Sequence, residues 1–481
     1  GLAAGLAGCV QPDRQRQDCL ASGDVDASTN TGLWKLLCCP RCAGALEPGA
    51  AIACSACGTR YPLVDGIPWL FAEPEAARGE WLVRLREFTT ELEVQAARYR
   101  AALEEAASRP AARNRLKLLS SACSDHARRL RSLLAPLDAA EPLAATETYR
   151  ALVASLPAGQ GLTSYYANLH RDWCWGADEN EAAFRAIDVA LGAADPGRVL
   201  VVGAGAGRLA YDVHARRSPA MLVAADLNPL MMIVARRMFS GGRVHLYEFP
   251  LAPRDLASHA VLRDLRAPAP AAPGIYPVIA DASRAPFATG AFDTVITPWL
   301  IDVLDEDLAT FAARLNLWLR PGGRWVNSGS FFPQHPDPVR CYSIDELPGL
   351  LAAAGFVDVE IREERMPYLA SPASRHARTE SVVTFSAVAG SRPAAPPPHR
   401  VAPEWLENED MPVPRLPQVE SEALAMRVHT YVASLIDGTR TLREIAGVLV
   451  EQRLMVADEA GPAVREFLRG LYGSARTPRR P

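Results

Sequence analysis

The run Val201-Val202-Gly203-Ala204-Gly205-Ala206-Gly207-Arg208-Leu209 follows an apolar segment and opens a stretch of helical character. Glycines at these places permit a tight turn and let the backbone approach a ligand without a Cβ clash. A dinucleotide-binding turn sets its third small residue three places after the second glycine. Here that place holds Arg208, and the third glycine is Gly207. This spacing favours S-adenosylmethionine over a nicotinamide dinucleotide. The motif alone is common to many nucleotide-binding chains, so its weight rests on the strands and carboxylates downstream of it.

Between Gly197 and Gly390, short β-branched runs alternate with helical stretches, the pattern of a parallel sheet covered on both faces. The expected strands are Arg198 to Val202, Met221 to Ala225, Tyr276 to Ala280, Phe292 to Thr297 and Arg324 to Ser328, closed by Val357 to Arg362 and Ser381 to Val388. Asp226 comes directly after the second of these, about 20 residues beyond the glycines, where a carboxylate can accept hydrogen bonds from both ribose hydroxyls. Asp281-Ala282-Ser283 comes after the third, in position to hold an adenine, and Leu319-Arg320-Pro321-Gly322-Gly323 turns into the fifth. Each fragment by itself is also an ordinary strand end or turn. Their order predicts an α/β fold, a seven-stranded Rossmann-like class I methyltransferase. The expected cofactor-binding residues are Gly203, Gly205, Gly207, Arg208, Asp226, Asp281 and Ala282.

Further motifs resemble the carnosine N-methyltransferase family. They are the Arg-Asp-Trp element in Leu169-His170-Arg171-Asp172-Trp173, then Trp299-Leu300-Ile301-Asp302, Trp325-Val326-Asn327-Ser328-Gly329, and Met366-Pro367-Tyr368 followed by Ser374. The resemblance covers about Tyr165 to Val388. It implies a helical cap and methylation of an imidazole nitrogen. It places Arg171 and Trp299 at the cofactor, and Tyr165, Trp173, Asn327 and Tyr368 around the acceptor.

Methyl transfer is an in-line displacement, so a neutral imidazole needs one free lone pair and alignment. A carboxylate accepting the hydrogen on the other ring nitrogen fixes the tautomer and stabilises the imidazolium as it forms. Asp302 is the candidate for that catalytic role, and the alternative is an Asp capping a helix that begins near Val303. Arg171 and Asp172 could equally pair with each other, or with Glu181, to hold the cap together. Tyr165 and Tyr166 could be core rather than pocket wall. Where the family carries tyrosines that shape the carnosine pocket, this chain has Arg378-Thr379-Glu380. A different imidazole compound, or a histidine within a peptide, fits that departure better than carnosine.

At 481 residues the chain exceeds one ordinary core, so appended modules are expected. Cys39-Pro40-Arg41-Cys42 and Cys54-Ser55-Ala56-Cys57 form two C-x-x-C knuckles separated by 11 residues. Four thiolates at this spacing can close a tetrahedral structural zinc site. With Tyr61 to Pro68, the segment resembles the zinc-ribbon family that activates transfer-RNA and release-factor methyltransferases. Leu435 to Ala446 has an apolar run, a glycine turn and a Thr cap, and resembles a PqqD-like winged helix that holds a precursor peptide. A small packing domain is the other reading.

The expected organisation is a leader at 1–31, the ribbon at 32–72, a helical cap at 79–196, the methyltransferase core at 197–390, a Pro-rich linker at 391–418, the winged helix at 419–474 and a basic tail at 475–481. Leu6-Ala7-Gly8-Cys9 resembles a lipoprotein cleavage box but lacks the basic and long apolar segments that accompany one. No apolar run is long enough to span a bilayer. Net charge of −4 gives no basic field for phosphates and argues against nucleic acid. That weighs against the competing reading as a ribosomal RNA methyltransferase joined to a zinc ribbon. A non-catalytic peptide-binding scaffold is the third possibility. Two C-x-x-C pairs with scattered further cysteines suit a reducing cytoplasm.

Overall fold

Strands whose successive residues are all apolar need a partner layer on each face of the sheet. The structure, a computed structural model, describes residues 31–49, 51–105, 109–138, 161–304, 306–332, 338–396, 410–412, 414–415, 426–427 and 429–476. The leader up to 30, residues 397–409 and 416–418 of the linker, and 477–481 of the tail lie outside these.

The N-terminal strands are β1 (Leu46–Glu47), β2 (Ile52–Cys54), β3 (Arg60–Tyr61), β4 (Leu63–Val64) and β5 (Ile67–Leu70). Next come β6 (Arg198–Val202), β7 (Met221–Asp226), β8 (Arg243–Glu248), β9 (Val261–Arg266) and β10 (Ile275–Ala280). The last are β11 (Phe292–Pro298), β12 (Leu319–Gly329), β13 (Phe356–Tyr368) and β14 (Arg378–Ala389).

Among the described residues the main sheet has nine strands in the order β13-β14-β12-β11-β6-β7-β10-β5-β4, not the expected seven. The seven expected strands are all in it, and β4 and β5 extend one edge. β5 pairs parallel to β10, with Trp69 opposite Ile279, and β4 folds back on β5 through an Asp65-Gly66 turn. Both turn residues have left-handed φ (51° and 72°), as a tight two-residue hairpin requires. The segment read from its cysteines as a ribbon thus has two parts. β1, β2 and β3 form a small sheet of their own, and the continuing chain joins the large one.

Period-two alternation divides β6 between two cores. Val199 and Val201 face a layer that includes Ala210, Val213 and Ile233, from the helices Arg208–Arg217 and Pro229–Phe239. Leu200 and Val202 face Phe311 and Leu315 of the helix Leu308–Trp318, and the same core takes in Leu36, Ile52 and Tyr61 of the N-terminal segment. The N-terminal module is therefore part of one face of the fold.

The cap begins earlier than expected, with the helix Pro74–Glu105 packed along Pro110–Leu133. It continues, within the described residues, as the helix Tyr166–His170, a π-helical turn Arg171–Trp175 and the helix Ala177–Leu191. An unexpected antiparallel hairpin, β8 with β9, packs beside it. Within 419–474 the described residues hold helices and no strand, so the wing of a winged helix is not among them. The helix Leu442–Glu451 there starts at a capping box of Thr441 and Glu444, satisfying first-turn N–H groups. No helix among the described residues is long and apolar enough to cross a membrane.

Candidate active site

The chain leaves β6 for β7 and β10 on one side, then returns to place β11 on the other. In such sheets the crevice lies beyond the carboxyl ends of the strands where the order reverses. A cavity of about 410 Å³ opens there, lined by Gly203 to Gly205, Asp226, Asp281, Ala282, Trp299 and Asp302 among others.

The loop after β6 brings main chain rather than side chain to this cavity. Gly203 and Gly205 have φ of +71° and +55°, and a Cβ built on Gly205 meets nothing within 4 Å. Asp226, at the end of β7, accepts from Gly205 N at 2.8 Å and from Asn228 N at 2.9 Å. Burial pushes its carboxyl up to about 6, although these N–H bonds pull the other way. Asn228 in turn caps the helix Pro229–Phe239 through Leu230 N at 3.0 Å. Asp281 folds back to accept from Ser283 N and Oγ at 2.8 and 2.7 Å, forming the turn that presents Ala282 to the cavity. A fixed carboxylate, a side-chain-free loop and the apolar Leu227 and Ala282 suit a nucleoside with free ribose hydroxyls.

Arg171 also lines the cavity and donates to Asp172 at 2.7 Å. Of the two pairings open to it, that one is found, since Glu181 is taken by Arg216 at 2.7 Å. Arg208 also lines the cavity, where it donates to Asp212 at 2.8 Å and to the Asp172 carbonyl at 2.9 Å.

Three expected site residues lie behind the wall rather than in it. Gly207 caps the helix Arg208–Arg217, and a Cβ there would come within 2.8 Å of Ala235 and Phe239, so it is a close-packing glycine. Trp173 is 2% exposed, donates from Nε1 to the Ala206 carbonyl at 2.8 Å and lies under Arg208. It supports the glycine loop and does not line the cavity. Asn327 is wholly buried and hydrogen-bonded at 2.9 Å to Thr297 on β11, because strand pairing sets these two side by side.

Trp299, Asp302, Tyr165 and Tyr368 do meet at one end of the cavity. Tyr165 and Trp299 both adopt left-handed φ, of 62° and 50°. The Trp299 and Tyr368 rings are 4.6 Å apart. No helix starts at Val303, and the cap of Leu308–Trp318 is Asp307, bonded to Thr310 N at 3.1 Å, which excludes a capping role for Asp302. One Asp302 oxygen accepts from the Ser330 hydroxyl, and Oδ1 is buried without a partner. Burial raises its carboxyl above the ordinary range, with Glu380 adding to the shift.

Ser330, Glu179 and Asn180 also line the cavity and were not anticipated. Ser330 lies two places past Ser328 and could have been found as the first hydroxyl beyond the fifth strand. Glu179 accepts from Leu369 N and Ala370 N at 2.9 and 2.8 Å, holding the turn after β13 to the helix Ala177–Leu191. No local pattern announces that long-range bond.

The four cysteines of the knuckles converge, with sulfurs within 4.8 Å of one another. The Cys39–Cys57 and Cys42–Cys54 separations of 3.7 and 3.5 Å are close to the ~3.8 Å edge of a tetrahedron with Zn–S bonds of about 2.3 Å. Cys38 stands apart, its N–H donating to the Pro286 carbonyl at 2.9 Å.

The strand order, glycine loop and carboxylate at the second strand define a class I methyltransferase domain. Residues 200–326 match the family model described as a methyltransferase domain, and the chain carries an S-adenosylmethionine-dependent methyltransferase domain. Among solved structures it is similar to phosphoethanolamine N-methyltransferase 2 of Haemonchus contortus (14% identity, 45% of this chain and 53% of that one, TM-score 0.30). It is also similar to YcgJ of Bacillus subtilis (12% identity, 44% and 99%, TM-score 0.31). A third similarity is to a complex of the Trm112 methyltransferase activator with a methyltransferase from Haloferax volcanii (12% identity, 47% and 97%, TM-score 0.31). The matched region thus spans about half the length of the Haemonchus enzyme. No curated protein matches.

Proposed function

We propose that this chain is an S-adenosylmethionine-dependent N-methyltransferase whose acceptor is an imidazole nitrogen, in a histidine-containing small molecule or a peptide. The observation that carries the reading is the Asp302 carboxylate, held by Ser330 through one oxygen while the other is buried and unpartnered at the aromatic end of the cavity. Gly203 to Gly205, Asp226, Asp281 and Ala282 would hold the nucleoside end of the cofactor, with Arg171 toward its methionine end. When bound, the cofactor supplies a methyl group activated on a sulfonium.

The Asp302 carboxylate, which lines the cavity, accepts the N–H of one ring nitrogen, so that the tautomer present has its lone pair on the other. As positive charge develops on the ring, the same carboxylate faces it in a site shielded from water, where the attraction is strongest. Tyr165, Trp299 and Tyr368 confine the ring edgewise and limit its rotation. Labelled cofactor with imidazole-containing compounds and peptides, and then mass analysis of the product, tests the reading. Incorporation only into oxygen, carbon or RNA acceptors would overturn it.

The four thiolates are assigned to one structural zinc ion, whose closed shell leaves no position for catalysis. A reducing compartment such as the cytoplasm is the corresponding setting. For a peptide acceptor, the C-terminal helices, which share a core around Val432, Ile445 and Leu449, are assigned to recruiting it. Truncation after Gly390 then lowers methylation of the peptide and leaves that of a small imidazole unchanged.

A further inference from the structure

A second cavity, of about 710 Å³, adjoins the first, and Tyr165, Asn168, Tyr368 and Arg378 line both. It lies between the cap helices Pro74–Glu105 and Pro110–Leu133, the π-helical turn, the segment after β8 and the turn after β13. No part of the proposed cofactor site extends into it.

Its walls are largely rings. His126 lies 5.5 Å from Tyr166, 5.6 Å from Phe249 and 6.3 Å from Phe88, mostly edge-on or tilted. The chamber also carries buried polar atoms without partners. Nδ1 of His126, which is 1% exposed, is one of them, and Trp175 Nε1 and Asn168 Oδ1 are others. Unpartnered polar atoms are costly inside a fold unless a guest or water satisfies them.

Charge is nearly absent. Of the four wall histidines, burial lowers His126 and His170 to about 3, which keeps those two imidazoles neutral, and lowers His259 as well, while His376 is the fourth. Of the acidic and basic side chains on the walls, Glu248 is paired with Arg263 at 2.6 Å and Arg378 with Glu380 at 2.7 Å. A charged guest would lose its hydration without gaining a counter-ion. A flat apolar one would gain edge-to-face contacts with the rings.

We infer that this chamber holds the body of the methyl acceptor, a neutral aromatic or apolar group attached to the methylated ring, passing between Tyr165 and Tyr368. The inference rests on the reading of Asp302 as the anchor of an imidazole. It makes the acceptor amphipathic, with the reacting ring at the polar end and most of its surface buried under the cap.

The test is calorimetric titration of the full chain saturated with S-adenosylhomocysteine, using imidazole, imidazoleacetate, phenylpropyl-imidazole and phenylpropylamine as probes. Phenylpropyl-imidazole is expected to bind roughly tenfold or more tighter than imidazole, from burial of its phenyl group. Imidazoleacetate should gain nothing. Ala167 lines the chamber but not the cofactor cavity and is exposed, so Ala167→Trp fills the space with little effect on folding. This variant should abolish the phenylpropyl gain while imidazole and S-adenosylhomocysteine bind as before. Leu251→Asp, at a wall residue 53% exposed, should do the same by adding a charge. Equal affinity of imidazole and phenylpropyl-imidazole, or a gain that survives both variants, overturns the inference. If phenylpropylamine binds, is lost on Ala167→Trp, and none of the three imidazoles binds, the chamber stands and the imidazole reading falls.

Discussion

The main-chain N–H of Gly205 donates to Asp226 Oδ2 at 2.8 Å, so the glycine loop and the carboxylate at the end of the second strand form one unit. The loop glycines nevertheless have separate roles. Gly205 faces open space, whereas Gly207 presses on Ala235 and Phe239. Gly205→Ala should cost about 1 kcal/mol of stability, from its left-handed φ, and weaken S-adenosylhomocysteine by roughly tenfold or more through a methyl group on the ligand side. Gly207→Ala should cost about 3 kcal/mol, combining left-handed φ with overpacking. Denaturant titration beside calorimetry separates the two. Equal destabilisation would show that both glycines serve packing.

Protonation of Asp226 should oppose cofactor binding. In the proposed cofactor site, ribose hydroxyls would donate to the ionised carboxylate, and burial sets its titration near 6 in the cofactor-free protein. Affinity for S-adenosylhomocysteine should therefore be level above pH 7 and fall as pH drops below about 6. Stability of the cofactor-free protein moves the other way. The folded carboxyl binds its proton more readily than the unfolded one, at about 3.9, so this group adds stability as pH falls from 6 toward 4. Asp226→Asn should remove both dependences, and affinity flat from pH 5 to 8 in the unaltered protein would refute the assignment.

Asp302→Asn should lower kcat by about a hundredfold or more and leave S-adenosylhomocysteine affinity within twofold. Ser330→Ala, which frees the second oxygen of Asp302, should lower kcat by roughly tenfold and shift the acidic limb of its pH profile upward, because the hydroxyl helps keep the carboxylate ionised. Turnover undiminished in Asp302→Asn would remove this residue from the mechanism.

Purified chain should contain one zinc ion, measured by elemental analysis, with Cys54→Ser or strong chelation releasing it. Cys54 and Cys39 are in the core shared with β6 and β7, so loss of the ion should lower Tm by several degrees rather than merely loosen an appendage. An unchanged Tm after complete metal loss would show the cluster to be dispensable to the fold.

Much of the central sheet was legible because its signals are local. Val199 to Val202, Met221 to Asp226 and Val295 to Thr297 are short apolar runs that each end at a turn or polar residue. What escaped depended on distant partners. Trp69 and Leu70 read as the end of a ribbon, and only the register against Ile279 and Ala280 makes them an edge strand of the main sheet. Asn327 and Trp173 sit in motifs that suggest a pocket, yet strand pairing and a bond to Ala206 turn them inward. The second chamber was illegible for the same reason, since Phe88, His126, Phe249 and Ser371 come from four separate stretches of chain.

The parallel pairing of β5 with β10 has a kinetic consequence. A ribbon supplied by another polypeptide would pair with the sheet at a rate and extent set by its concentration, and dilution would strip it away. Here 204 residues separate Leu70 from Ile275, and the two strands are bound into one molecule, so the ends meet at an effective concentration that dilution cannot lower. The cavity-lining turn at Asp281 to Arg284 is buttressed from the same N-terminal segment, with Glu73 reaching Arg284 at 3.0 Å. Specific activity should accordingly be independent of enzyme concentration down to the detection limit, as for a complex that has no dissociated state.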